Sequence, residues 1–145
     1  MNTCRAAYIE LRRISSIRHF LSVDATKTLM SSLVLSKLDY CNSLLSGSPQ
    51  HLIQLFQKVQ NTAVRITLRA PRAEHTSPLL RSIHWLSVQK RIKHKVCSIC
   101  YNTLTGASPK YMSELVNVYI PSRCLCSLSD SCTLTILYVR TKICG

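Results

Sequence analysis

Apolar residues recur along this chain at the three-and-four spacing of helical faces. Leu52, Leu55, Phe56, Val59, Ala63 and Ile66 fall on one side of a helix predicted over about residues 49–68. Ser48-Pro49 marks its start, a hydroxyl cap followed by a ring whose missing N–H costs nothing at the first helical position. Gly47 suits the left-handed residue that closes the preceding helix. A second long helix is predicted over about 88–104, with Ser87 as cap, Val88, Ile92, Val96 and Ile99 inward, and an end near Gly106.

The flanks carry shorter elements. Residues 3–18 predict a helix with Ala7, Ile9, Leu11, Ile14 and Ile17 apolar and Arg5, Arg12, Arg13 and Arg18 outward. His19-Phe20-Leu21 breaks it. Ser22 and Asp24 favour the positive end of a new helix, which carries Leu29, Leu33, Leu38, Cys41 and Leu45 inward as far as Gly47. Pro71 and Pro78 exclude a continuous helix between the two long ones, so residues 70–77 read as a loop, and Thr76 and Ser77 as caps of a short turn at 78–83. Ser108-Pro109 repeats the cap-and-proline start for a short helix with Tyr111, Met112, Leu115 and Val116, which Pro121 ends. Leu134, Ile136, Tyr138 and Val139 beside Thr133, Thr135 and Thr141 suit a strand with no partner strand in the chain. The expected architecture is mainly α, a small bundle of about five helices over residues 1–120, followed by an irregular or strand-like tail over 121–145.

Composition narrows the class. A chain of 145 residues with 46% apolar content can close one core, and three glycines with five prolines argue against a turn-rich β architecture. Charge changes the picture most: 19 basic against 6 acidic residues, net +13, points to polyanionic partners, nucleic acid first and anionic membrane second. The most apolar region, residues 29–45, is interrupted by Lys37 and Asp39, so no membrane span or membrane partner is expected. MNTCRAAYIELRR lacks the uninterrupted apolar core of a secretory leader, so the eight cysteines are expected to be reduced in cytosol or nucleus.

Candidate chemistry is sparse. Cys97-x-x-Cys100 with Cys124-x-Cys126 is the nearest approach to a zinc pattern, but the first pair sits mid-helix and the second is one residue short of the usual spacing. Core or incidental thiols are expected, with no metal and no cofactor. His94 and Cys97 share helical spacing without an orienting carboxylate or oxyanion loop. The six acids are never closer than fourteen positions, which leaves no acidic dyad for two-metal phosphoryl transfer. Trp85 reads as a core anchor in preference to a base-stacking residue. What remains is basic: from Lys58 to Lys95 there are nine Lys or Arg residues against Glu74 alone. Lys58, Arg65 and Arg69 share the polar face of one helix and Arg72 follows in the loop, while Lys90, Arg91, Lys93 and Lys95 cover several directions of the next. These eight form the candidate phosphate-binding set, directed at backbone in preference to base edges.

Three blocks carry a resemblance: LDYCNSLLSGSP, LIQLFQKVQNTAVRI and HTSPLLRSIHWLSVQKRIKHKV. With CRAAYIELRRISSIRHFLSVDATKTL before them and LTGASPKYMSELVNVYIPSRCL after, they resemble, in colinear order over about residues 4–126, the region following the polymerase palm of non-LTR (LINE-type) retrotransposon reverse transcriptases. The resemblance implies thumb and post-thumb helices that hold a template–primer duplex for an RNA-directed DNA polymerase centre. That centre's Tyr/Phe-x-Asp-Asp motif is not in this chain, and Asp39-Tyr40 belongs to the helical LDYCN block. The expected activity is therefore that of a non-catalytic fragment binding RNA or DNA through the phosphate backbone, with the missing palm or another protein as a further partner. The alternative is a helical protein-interaction or structural module with no nucleic-acid activity.

Overall fold

Ala7, Leu11, Ile14 and Arg18 succeed one another at steps of four, three and four residues, one stripe of a helix, and all four are buried. In the computed structural model, which describes residues 2–40 and 42–116, the stripe belongs to α1 (Asn2–Ile17) and the 3-10 turn Arg18–Phe20 after it. Ile9 and Ile17, apolar positions of the same helix, lie off the stripe and are each 44% exposed.

Ser22 opens α2 (Val23–Met30) as expected, its Oγ accepting from the Ala25 N–H at 3.1 Å, with Asp24 in the first turn beside the positive helix end. A π turn, Ser31–Leu35, then leads directly into α3 (Ser36–Asp39). The wider turn brings Val34 and Leu35 inside together with Met30 and Leu38, and leaves Leu33, expected inward, at 39% exposure. Tyr40 turns to extended backbone, so the helix expected to reach Gly47 stops at Asp39, and a 3-10 turn, Asn42–Leu45, fills the interval. Gly47 has φ +80°, the left-handed conformation a Cβ disfavours. Cys41 lies outside the described residues.

The spine is α4 (Gln50–Leu68). Pro49, not Ser48, holds its N-cap position, and no side chain caps it, because the hydroxyl stands one residue too early. The buried face is wider than the apolar pattern: Val59, Gln60, Ala63, Val64 and Thr67, with Leu55 38% exposed. One side of α4 closes a core with Ala7, Leu11 and Ile14 of α1 and Met30, Val34, Leu35 and Leu38 of the α2–α3 rod. Val64 begins a second cluster with Leu79, Leu80 and Ile83 around α5 (Thr76–Ser82). Trp85 packs against both clusters, the anchoring role expected of it.

Buried Gln60 donates to the Leu86 carbonyl at 2.7 Å, and Gln57 Oε1 accepts from the Val88 N–H at 3.0 Å. A free amide at the start of α6 (Val88–Leu104) is thereby satisfied from α4. Val88 and Ile92 are buried, as expected. The chain divides into compact units Met1–Val96 and Cys97–Gly145. In the second, Thr103 is buried, and α6 closes at Gly106 (φ +73°) with Ala107 N–H on the Asn102 carbonyl at 2.9 Å. The short α7 (Lys110–Ser113) follows Pro109, again without a serine cap. Among the described residues the fold is mainly helical, with six helices when α2, the π turn and α3 count as one rod, and no strand. The expected division near residue 120 and the strand-like tail lie outside the described residues.

Arg18, expected outward, is the principal correction. It is only 7% exposed and reaches across to the last turn of α4, donating from Nε to the Ile66 carbonyl (3.0 Å) and from a terminal nitrogen to the Thr67 carbonyl (2.7 Å). Its other terminal nitrogen bonds the Leu21 carbonyl at 2.7 Å. Helix-end carbonyls need donors, and a cation there also offsets the negative end of the helix dipole. Replacing Arg18 with Met is expected to destabilise the fold by about 3 kcal/mol in urea unfolding, since charged hydrogen bonds vanish and the Thr67 carbonyl loses its donor. Arg12→Met, at an exposed position, is expected to stay within about 0.5 kcal/mol of the parent.

Glu10 ties α1 to α3, bonding Lys37 Nζ at 3.1 Å and Arg13 at 3.4 Å. The Lys37 hydrogen bond holds its carboxyl below the ordinary value. A carboxylate with a lowered folded-state pKa adds stability that is complete above its unfolded value and is lost as pH falls through the lowered one. Glu10→Gln is therefore expected to flatten the acid side of the stability–pH curve while leaving its neutral slope unchanged, as read by thermal unfolding across the carboxylate range.

Candidate nucleic-acid interface

The end of α4 is built so that its basic residues converge. Ala70 N–H bonds the Arg65 carbonyl (3.0 Å) and Arg69 N–H the Ile66 carbonyl (3.4 Å), the paired closure of a helix whose last residue turns left-handed. That residue is Arg69, at φ 53°. From this turn Arg69 extends back to donate to the Arg18 carbonyl at 3.2 Å, answering the bonds Arg18 makes to α4. Arg65 donates to the Glu74 carbonyl at 3.0 Å, and its Nε is buried with no hydrogen-bond partner among the described residues. Arg72 follows, exposed, in the loop after Pro71.

Arg18, Arg65, Arg69 and Arg72 line one open concavity of about 840 Å³, with the hydroxyls of Ser15 and Thr62 on its wall. No carboxylate lines it, and among the described residues none of the four arginines forms an ion pair. Burial, and then the like charge of Arg69, draw the Arg18 guanidinium below the ordinary arginine value. Arginine starts so high that it keeps its proton. Four planar cations with spare N–H donors and no counter-ion form a surface suited to phosphate oxygens.

The other expected residues do not join this surface. Arg91 is paired with Asp39 and lines, with Lys95, a second concavity of about 510 Å³ that shares no residue with the first. Their spacing of four puts them on one side of α6. Lys58, Lys90 and Lys93 are exposed and line neither concavity. The basic set is thus two surfaces and three separate side chains. Arg18 escaped the sequence reading although its phase, in step with Ala7, Leu11 and Ile14, was the signal for its burial.

Among the described residues the thiols Cys4, Cys97 and Cys100 gather at no common centre. Cys97 is exposed and Cys100 half-buried, both free, and among the described residues no three His, Cys, Asp or Glu side chains gather as a metal would need. Burial pushes the Cys4 thiol up, the behaviour of a small core residue. Cys124 and Cys126 lie outside the described residues.

Compared with family models, curated proteins and solved structures, the chain matches none.

An arginine at φ 53° carries a backbone cost that glycine would relieve. Arg69→Gly is expected to be more stable than Arg69→Ala by about 1 kcal/mol, because both lose the side-chain hydrogen bond to the Arg18 carbonyl but only alanine keeps the backbone strain. Both are expected to weaken polyanion binding alike, so chemical unfolding and a binding titration on the same pair separate the backbone contribution from that of the charge.

Proposed function

We propose that this chain binds RNA or DNA through the phosphate backbone, in the manner of the helices behind the palm of a non-LTR reverse transcriptase, and performs no catalysis itself. The observation that carries the reading is the four-arginine concavity at the end of α4, which lacks any carboxylate in its wall. Kinship with that polymerase family rests on the sequence blocks and is part of the proposal. The arginines make no demand on base identity, so binding is expected to be sequence-independent and salt-sensitive.

The test is the joint replacement of Arg65, Arg69 and Arg72 by alanine, followed by fluorescence anisotropy with a labelled duplex over a series of salt concentrations. Loss of three phosphate contacts should lower affinity and flatten the log–log salt slope by about two to three. Replacing Lys58, Lys90 and Lys93, which line neither concavity, should change both far less. Binding left intact by the triple arginine change would remove the assignment.

One observation favours a second reading, a module that docks on another protein. Phe20, Tyr40 and Leu44 are 81%, 82% and 77% exposed, apolar side chains that a partner protein would cover. Self-association that grows with concentration, together with no duplex binding at low salt, would favour that reading over the first.

A further inference from the structure

The second concavity takes its shape from the π turn, the first turns of α6 and the irregular link between α5 and α6. The π turn contributes Leu35, and the start of α6 contributes Arg91 and Lys95. The link between α5 and α6 contributes His84, Trp85 and Leu86. That link turns sharply because His84 sits at φ 58° while the Trp85 N–H returns to the Leu80 carbonyl at 2.8 Å. The turn draws the indole onto both core clusters, and the part the core leaves open lines the concavity. Beside it Leu86 is 49% exposed.

The wall has two chemistries. Leu35, Trp85 and Leu86 make it apolar on one part, and Arg91 and Lys95 make it cationic on another. Asp39 already holds Arg91, and it would repel an anion close to that pair. Lys95 has no such partner among the described residues, so an anion belongs on its side. Asn42, 6% exposed, also belongs to the wall; its Nδ2 bonds Asp39 at 3.3 Å while its Oδ1 has no partner among the described residues. An acceptor left unsatisfied by folding favours a ligand that brings N–H groups. A volume of about 510 Å³ lies within the usual range for small-molecule pockets.

We propose that this concavity holds one nucleotide unit, its base against Trp85 and Leu86 and its phosphate on Lys95. The proposal goes beyond backbone binding at the arginines but rests on the reading of the chain as a nucleic-acid binder. A base can reach the indole only when it is unstacked, so the ligand is a free nucleotide or a unit of a single strand, not the interior of a duplex.

Trp85 is the chain's only tryptophan, so its emission reports this wall alone when indole is excited selectively. The intact chain is titrated with a single-stranded RNA oligomer, an abasic strand of equal length, a blunt duplex and adenosine monophosphate, while anisotropy reads binding of the strands. The expected result is quenching by the base-bearing single strand, and none by the abasic strand or the duplex although both bind. Saturable quenching by adenosine monophosphate would also support the pocket, and the relative concentrations needed would tell whether the strand or the free nucleotide is the better source. Leu86→Glu and Lys95→Glu, both at exposed positions, should each raise the concentration for half-quenching about tenfold, the scale of one stacking or phosphate contact. Equal quenching by the abasic strand, or bound single strand without quenching, overturns the base pocket and leaves backbone binding standing. No binding of any strand with saturable quenching by adenosine monophosphate sinks backbone binding and keeps the pocket; silence in every arm sinks both.

Discussion

The arrangement of the first three helical rods depends on where the Arg18 guanidinium is satisfied. A 19-residue helix ends in carbonyls that its own turns cannot bond, and in α4 two of them are met by a side chain from the end of α1. Apolar burial of Ala7, Leu11 and Ile14 against α4 would tolerate some sliding, since dispersion and area are indifferent to small shifts. Three directed bonds from one planar cation are not. Two of them pin the end of α1 to the end of α4, the third closes locally on the Leu21 carbonyl, and the α2–α3 rod fills the remaining side. Because the pin is a cation, it also sets the local sign of charge: Arg69 bonds to its backbone, and Arg65 and Arg72 surround the same hollow.

Much of this was legible in the residues, and the gaps have definite causes. Helix positions followed from punctuation, as at Ser22 and Gly106, where cap chemistry and positive φ act locally. The inner faces of the α2–α3 rod were read with a period of 3.6, and the π turn at Ser31–Leu35 changes the period midway, so Leu33 was misassigned. Gln60 and Thr67 are buried polar residues on α4 that an apolar template passes over, yet each is satisfied, by the Leu86 and Ala63 carbonyls respectively. At the candidate interface, Arg65, Arg69 and Arg72 were grouped by chain proximity, and the fold does bring them together. Lys90 and Lys93 were grouped by charge alone, which carries no information about direction, and Lys58 shares a face with Arg65 and Arg69 but lies about two turns before Arg65, outside the wall of the hollow at the helix end.

Two non-glycine residues have positive φ among the described residues, Arg69 and His84, and both end helices that glycine could have ended. The end of α6, with glycine at the corresponding place, shows that the chain uses the cheaper solution elsewhere. Each strained residue lines one of the two concavities. A left-handed residue is fixed tightly in direction, so a polar side chain placed there starts from a rigid base. Strain of this kind persists only where the surroundings over-determine it, and in both places the paired helix-closing hydrogen bonds do so.

The charge balance then separates the molecule's surfaces. Among the described residues, Glu10 takes Arg13 and Lys37, and Asp39 takes Arg91. Those acids serve the contacts of α1 and α6 with the α2–α3 rod, far along the chain from the end of α4. Glu74, the one acid within reach in sequence of the arginine hollow, offers Arg65 its backbone carbonyl, and its carboxylate is absent from the hollow's wall. Like charges gathered without a counter-ion raise the energy of the folded state, by an amount that salt reduces and a bound polyanion removes. A fold that satisfies helix ends with arginine, and keeps its few carboxylates elsewhere, therefore leaves the hollow at the end of α4 positive, and phosphate binding there, as proposed, would relieve that repulsion.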